Sequence, residues 1–285
     1  MNGSVPELVA VNTGCLPVLI LDGEGLAGAK QNRAVNTTLM VPALSKVNIP
    51  VSCTEQGRWS FKTKTFMDSD LIMSHRTRRN RSASVTRNLV NERGFCSDQS
   101  QVWENIRSEA AFANASSPTG AMRDTFEHLR PKLEDYIKAF PLGRRQNGFV
   151  VFINGNPVGI EMISSSDKYA LLHEKLIRSY ATEALYSEGG ASIVTTDKAM
   201  QFLRKAMECT FERYPSVGLG EDYRFVGNEM IGSALVVNET VVHCAFFRIE
   251  RFADQQSEAA DGMLDSRRRR ESRFRRNTMD GDAAC

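Results

Sequence analysis

The sequence predicts an α+β protein: a largely antiparallel β-sheet or sandwich carrying several packed helices. Three observations lead there. Short runs with apolar residues at every second position fill the first 66 positions, which is the period of strands with one buried face. Longer stretches with apolar residues three and four apart occupy the middle, the period of amphipathic helices. Strand-like runs return at the end, so strands and helices come in separate groups rather than in strict alternation.

In chain order, Leu8–Val11 and Pro17–Leu21 are short runs rich in Val, Leu and Ile. Val35, Thr37, Leu39 and Val41 alternate with Asn36, Thr38 and Met40; Val47, Ile49, Val51 and Cys53 alternate with Asn48, Pro50 and Ser52. Pro50 inside its run calls for an edge strand or a bulge. A cupin-like barrel over residues 5–66 fits these strands, without the histidine motif of metal cupins. The basic run SHRTRRNRSASVTRNLVNERG (74–94) has little apolar periodicity and reads as a solvated connector. Asp98 is placed to cap a helix with Val102, Trp103, Ile106 and Ala110 on one side. Met122, Phe126, Leu129, Leu133, Tyr136 and Phe140 make the stripe of a helix over 118–140, started by Ser117-Pro118 and kinked or split by Pro131. Phe149–Ile153 and Val158–Ile163 flank an Asn154-Gly155 turn, a hairpin signature. Helices over 168–186 and 197–214 follow, then strands Tyr223–Val226, Ile231–Val237 and Val241–Ile249. The last is apolar on both faces and therefore central, with His243 as a satisfied core histidine. One domain spans 1–252; residues 253–285, rich in Gln, Ser, Ala, Asp and Arg, read as a disordered charged tail.

Composition narrows the function classes. A net charge of +2 over 285 residues gives no general pull on nucleic acid, and no apolar run approaches the roughly 20 residues of a membrane span. The six cysteines form no CxxC pair, and the four histidines stand in no metal-type spacing. A cytoplasmic protein without a metal site fits, although carboxylate pairs leave room for a divalent cation as cofactor. There is no GxSxG elbow and no P-loop.

Two polar turns carry the chemistry. Asp22, Glu24, Lys30, Gln31, Asn32 and Arg33 cluster in the first, and Glu55, Arg58 and Trp59 in the second. The first contains GEGLAG, a literal GxGxxG. The β-branched, Asn-rich stretch after Gly28 is a poor helix, so the dinucleotide fold is rejected. A carboxylate pair suits acid–base work, Lys and Arg suit phosphate, and Arg with Trp suits a nucleobase. The bland alternative is a set of local salt bridges, with Trp59 plugging the end of the β core.

GSVPELVAVN, PVLILDGEGLAGAKQNRAVNTT and IPVSCTEQGRWSF together resemble the ARPP-1 domain, and SDQSQVWENI, SSPTGAMRD, FVVFINGNPVGIEMI and KLIRSYATEAL agree. The likeness runs from near Gly3 to about Ile249. It implies a place beside ADP-ribosylglycohydrolases in NAD-utilising pathways, and a nucleotide-type ligand of the ADP-ribose class. Asp22, Glu24 and Glu55 are then the catalytic candidates, and Lys30, Gln31, Asn32, Arg33, Arg58 and Trp59 the ligand-binding ones, the two turns facing each other across one site. It also implies an N-terminal strand and helix ahead of GSVPEL, whose lack leaves an exposed sheet edge open to a protein partner. The competing expectation is a non-catalytic scaffold whose polar motifs are structural.

Overall fold

The computed structural model describes residues 6–249 except 59, 62, 188, 190 and 191. Trp59 and the charged tail therefore lie outside the described residues. The N-terminal strands are β1 (Glu7–Asn12), β2 (Val18–Ile20), β3 (Glu24–Gly28), β4 (Arg33–Val35), β5 (Leu39–Val41), β6 (Ser45–Cys53) and β7 (Phe66–Ile72). Five form an antiparallel sheet in the order β1-β6-β4-β3-β7, and β2 pairs with β5. Val35, Leu39, Val41, Ile49 and Val51 close one core, but the alternating run 35–41 is not one strand: it breaks at Asn36–Thr38, all three buried, so that β4 and β5 fall in different sheets. Pro50 lies on neither a free edge nor a bulge. It stands where β6 passes from its ladder with β1 to its ladder with β4.

Helices α1 (His75–Val90), α2 (Gln99–Ala113) and α3 (Met122–Ala139) follow. Asp98 caps α2 by accepting from the N–H groups of Ser100 and Gln101. The α3 stripe packs Met122, Phe126, Leu129 and Leu133 against Val102 and Ile106 of α2. The helix starts later than the Ser-Pro signal because residues 117–121 lie alongside residues 54–57. Thr119 O accepts from Gly57 N, and Met122 N donates to Thr54 O. It also runs on through Pro131 without splitting.

The second sheet has six antiparallel strands in the order β10-β11-β12-β13-β9-β8. These are β8 (Gly148–Ile153), β9 (Asn156–Ile163), β10 (Thr210–Pro215), β11 (Glu221–Val226), β12 (Met230–Val237) and β13 (Thr240–Arg248). Asn154 and Gly155 both take positive φ, as a two-residue hairpin turn requires. Helix α4 (Ser166–Ala184) crosses between β9 and α5 (Thr196–Met207). The helix expected to reach residue 214 ends at Met207; the β-prone Thr210–Pro215 finds a partner in β11. Strand β13 lies inside the sheet as its two apolar faces require.

The largest departure is α1. Far from being a solvated connector, it is a central helix burying His75, Thr77, Arg78, Arg81, Ser82, Ser84, Val85, Thr86 and Leu89. Its buried stripe has helical spacing, but most of it is polar. An apolar-period reading passes over such a stripe, and only tertiary ion pairs make it stable.

Candidate functional site

The predicted residues separate into three places. Gln31, Asn32, Arg33, Glu55 and Arg58 come together at one end of the β3–β4 hairpin. Glu55 Oε2 lies 2.7 Å from Arg58 Nη2 and accepts from Asn32 N at 3.2 Å, while Oε1 accepts from Thr119 at 2.9 Å. Burial raises the Glu55 carboxyl, but the Arg58 and Thr119 bonds outweigh that and hold it below its ordinary value. Arg58 also donates to the carbonyls of Ala29 (2.8 Å) and Ser60 (3.0 Å) and to Asn32 Oδ1 (3.1 Å). Arg33 donates to Gln31 Oε1 at 3.0 Å. Lys30 is exposed at the turn. The cluster ties both polar turns to the start of α3.

Asp22 and Glu24 stand at the other end of β3, so the two turns meet through Gln31, Asn32 and Arg33 but not through the first turn's carboxylates. Glu24 accepts from Leu21 N at 2.8 Å and from Lys175 of α4 at 3.3 Å; Lys175 also reaches Asp68 at 2.6 Å. Burial raises the Glu24 carboxyl despite these partners. The expected carboxylate pair is therefore split, with Asp22 turned inward and Glu24 outward.

Asp22 belongs to a sealed charged centre that sequence reasoning did not find. Arg81 donates to Asp22 Oδ1, and Arg78 Nε lies 3.5 Å from Asp22 Oδ2. Arg78 Nη1 donates to Glu161 Oε1 at 2.5 Å, as does the Tyr180 hydroxyl at 3.0 Å. His243 Nε2 donates to Glu161 Oε2 at 3.1 Å, and its Nδ1 lies 2.8 Å from Thr38 Oγ1. Alongside, Arg224 pairs with Asp222 (2.6 Å) and donates to Thr37 (2.7 Å). The register explains the convergence. Asp222, Arg224, His243 and Glu161 lie on one face of the second sheet, the face α1 covers.

The electrostatics follow from burial. Burial alone would raise Glu161; the Arg78 charge and the His243 bond overcome it and bring the carboxyl to about 2. Burial, then the charge of Arg224, lowers Arg81 to about 9. Burial and the Glu161 charge push the Tyr180 hydroxyl well up. The signals present in the sequence were lone charges in apolar strands: Glu161 within VGIEMI, His243 within TVVHCAFF, and Asp222 and Arg224 two apart in EDYRF.

No group of three or more His, Cys, Asp or Glu that could hold a metal ion occurs among the described residues, and no described helix is long and apolar enough to cross a membrane. Fold and site together define an antiparallel α+β domain whose two larger sheets are joined by a central helix through buried ion pairs. The chain belongs to the ARPP-1 family, the ARG and Rhodanese-Phosphatase-superfamily-associated Protein domain, whose model matches residues 1–247. No curated protein and no solved structure matches it.

Proposed function

We propose that this ARPP-1 domain is a non-catalytic partner-binding module, whose partners are the ARG- or rhodanese-phosphatase-class proteins for which the family is named. One observation carries the reading. Asp22, Glu24 and Glu55 each sit in an ion pair within the fold. A hydrolytic carboxylate must face a water or a leaving group, whereas these face arginine and lysine. The surface offered to a partner is the outer edge of β1, paired with β6 on its inner side alone among the described residues. Val9 and Val11 on it are 53% and 62% exposed, and its row of backbone groups suits strand addition. Co-expression with an ARG-class or a rhodanese-phosphatase-class protein tests this. A complex with the wild type, lost in Val9→Lys, supports the reading; a complex that Val9→Lys leaves intact removes β1 from it.

Binding or processing of an ADP-ribose- or NAD-derived nucleotide is the second reading. It is favoured by Arg33 Nε and Arg58 Nε, which are buried without hydrogen-bond partners in the first cluster, and by the family's association. Lys30, Gln31, Asn32, Arg33 and Arg58 then hold phosphate, with Trp59 for the base. A melting panel of ADP-ribose, NAD and divalent metal ions decides, since a ligand that binds only the folded state raises Tm. A rise with ADP-ribose that Arg33→Ala abolishes favours this reading; no shift with any of them favours the first.

A further inference from the structure

The backbone of β1 faces two ways. Val51 N donates to Pro6 O at 2.8 Å, so the even-numbered residues of β1 turn their N–H and C=O groups toward β6. Pro50, which has no N–H, stands opposite Glu7, as a pair without ladder bonds requires; its carbonyl accepts instead from Asn36 N, on the β4 side, at 3.0 Å. Glu7, Val9 and Val11 therefore turn their backbone groups outward, where β1 has no strand neighbour among the described residues. Side chains follow the same alternation. Leu8 and Ala10 pack on the core, while Val9 and Val11 stand exposed on the opposite face. The apolar surface continues past the strand to Leu16 and Leu44, both exposed. Two bonds hold them beside it: the Asn12 amide donates to Leu16 O at 2.8 Å, and Leu44 N donates to Gly14 O at 3.0 Å. An open edge is usually guarded by charge or proline. The sheet's other outer strand, β7, carries exposed Asp68 and Asp70, whereas β1 has neither charge nor proline from Leu8 to Asn12.

We propose that this edge takes a second copy of the chain, β1 pairing antiparallel with the same strand of its partner about a two-fold axis at Ala10. An axis perpendicular to the sheet keeps the faces aligned, so odd residues meet odd residues and the outward N–H and C=O groups of each copy find those of the other. Centred on Ala10, the register sets Val9 against the partner's Val11 and Val11 against the partner's Val9. Both are aliphatic cross-strand pairs carrying ladder bonds, and no like charges meet. Centred on Val9 instead, it would set each Val11 against a Glu7 carboxylate, a poorer match. A two-fold contact is self-complementary and closes after two copies, so the edge is filled without growing a fibre. The inference deepens the partner-binding reading and rests on it in taking the β1 edge as the surface on offer: a foreign partner then competes with the second copy for the same strand.

Sedimentation of the full-length protein over a range of concentrations is the test, and a reversible dimer is expected. Val9→Pro removes an outward N–H and no bond to β6, so it should keep the wild-type circular dichroism. It should weaken the dimer about tenfold or more, because the two-fold axis doubles the lost bond. Val9→Lys should weaken it too, and adding Val11→Asp should restore it, since this register sets each new lysine against an aspartate; a Val9-centred register would set lysine against lysine. A wild type that stays monomeric at every concentration, or a dimer that Val9→Pro leaves unchanged, overturns the proposal, and a double variant that stays monomeric overturns the register. Co-expression reads the other question separately. A monomeric wild type that still captures a foreign protein sinks the dimer and leaves the partner-binding reading standing; a dimer that captures none does the reverse.

Discussion

Replacing Glu161 with Gln is the sharpest probe of the buried centre. The carboxylate accepts from Arg78, Tyr180 and His243 at 2.5, 3.0 and 3.1 Å and is fully enclosed. The amide keeps one acceptor oxygen, removes the charge and puts an N–H₂ where the second oxygen stood. Arg78 is left with Asp22 at 3.5 Å as its carboxylate. Breaking a buried pair in this way costs about 3–5 kcal/mol. The titration gives a second measure. A carboxyl lowered from 4.5 to about 2 in the folded state is worth about 3 kcal/mol at 1.36 kcal/mol per unit. Because the folded value is the lower one, this stability is present above pH ~4.5 and is lost as pH falls toward ~2. Urea unfolding followed by circular dichroism, at neutral pH and through the acid range, measures both. Glu161→Gln should lose about 3–5 kcal/mol at pH 7 and show a flatter acid decline than the wild type. Adding Arg78→Met should cost less than the sum of the single losses, since it removes the stranded cation. A single-variant loss under about 1 kcal/mol, or an unchanged acid slope, refutes the reasoning.

Other outcomes follow from the same geometry. Glu55→Ala or Arg58→Ala should each lose about 3–5 kcal/mol by denaturant melting; normal folding of either removes the structural role of that cluster. Glu109 accepts from Ser74 and Thr77 but is raised by burial, so its charge costs stability as pH climbs through its folded value. Glu109→Gln should match or exceed wild-type stability at pH 7, and a loss above about 2 kcal/mol counts against that account. Gly159→Ala places a methyl 2.5 Å from the Tyr180 hydroxyl and should destabilise by about 1–3 kcal/mol, which thermal melting reads directly. Val11→Lys, on the exposed β1 face, should leave Tm within about 1–2 °C of wild type.

The sequence by itself determined the local order of this protein. The period-two run of β6, the Asp98 cap, the Asn154-Gly155 turn and the α3 stripe from Met122 to Leu133 arise from interactions within a few residues, and each appears in the structure; of the expected α2 stripe only Val102 and Ile106 are buried, and Phe140 lies exposed beyond α3. The strings around Gly28 and Glu55 carried the family. Tertiary structure decided the rest. Arg78 and Arg81 look like solvated charges in a basic run, because nothing near them in the chain supplies an acid. Their acceptors, Asp22 and Glu161, lie 59 and 83 residues away in sequence, and only strand register puts them on the face that meets α1. Asp22 and Glu24 are two residues apart, yet they part because one turns into the core and the other reaches Lys175 of α4. A buried charge is stable only beside its distant partner, so its place is a property of the assembled fold and not of its neighbours in sequence.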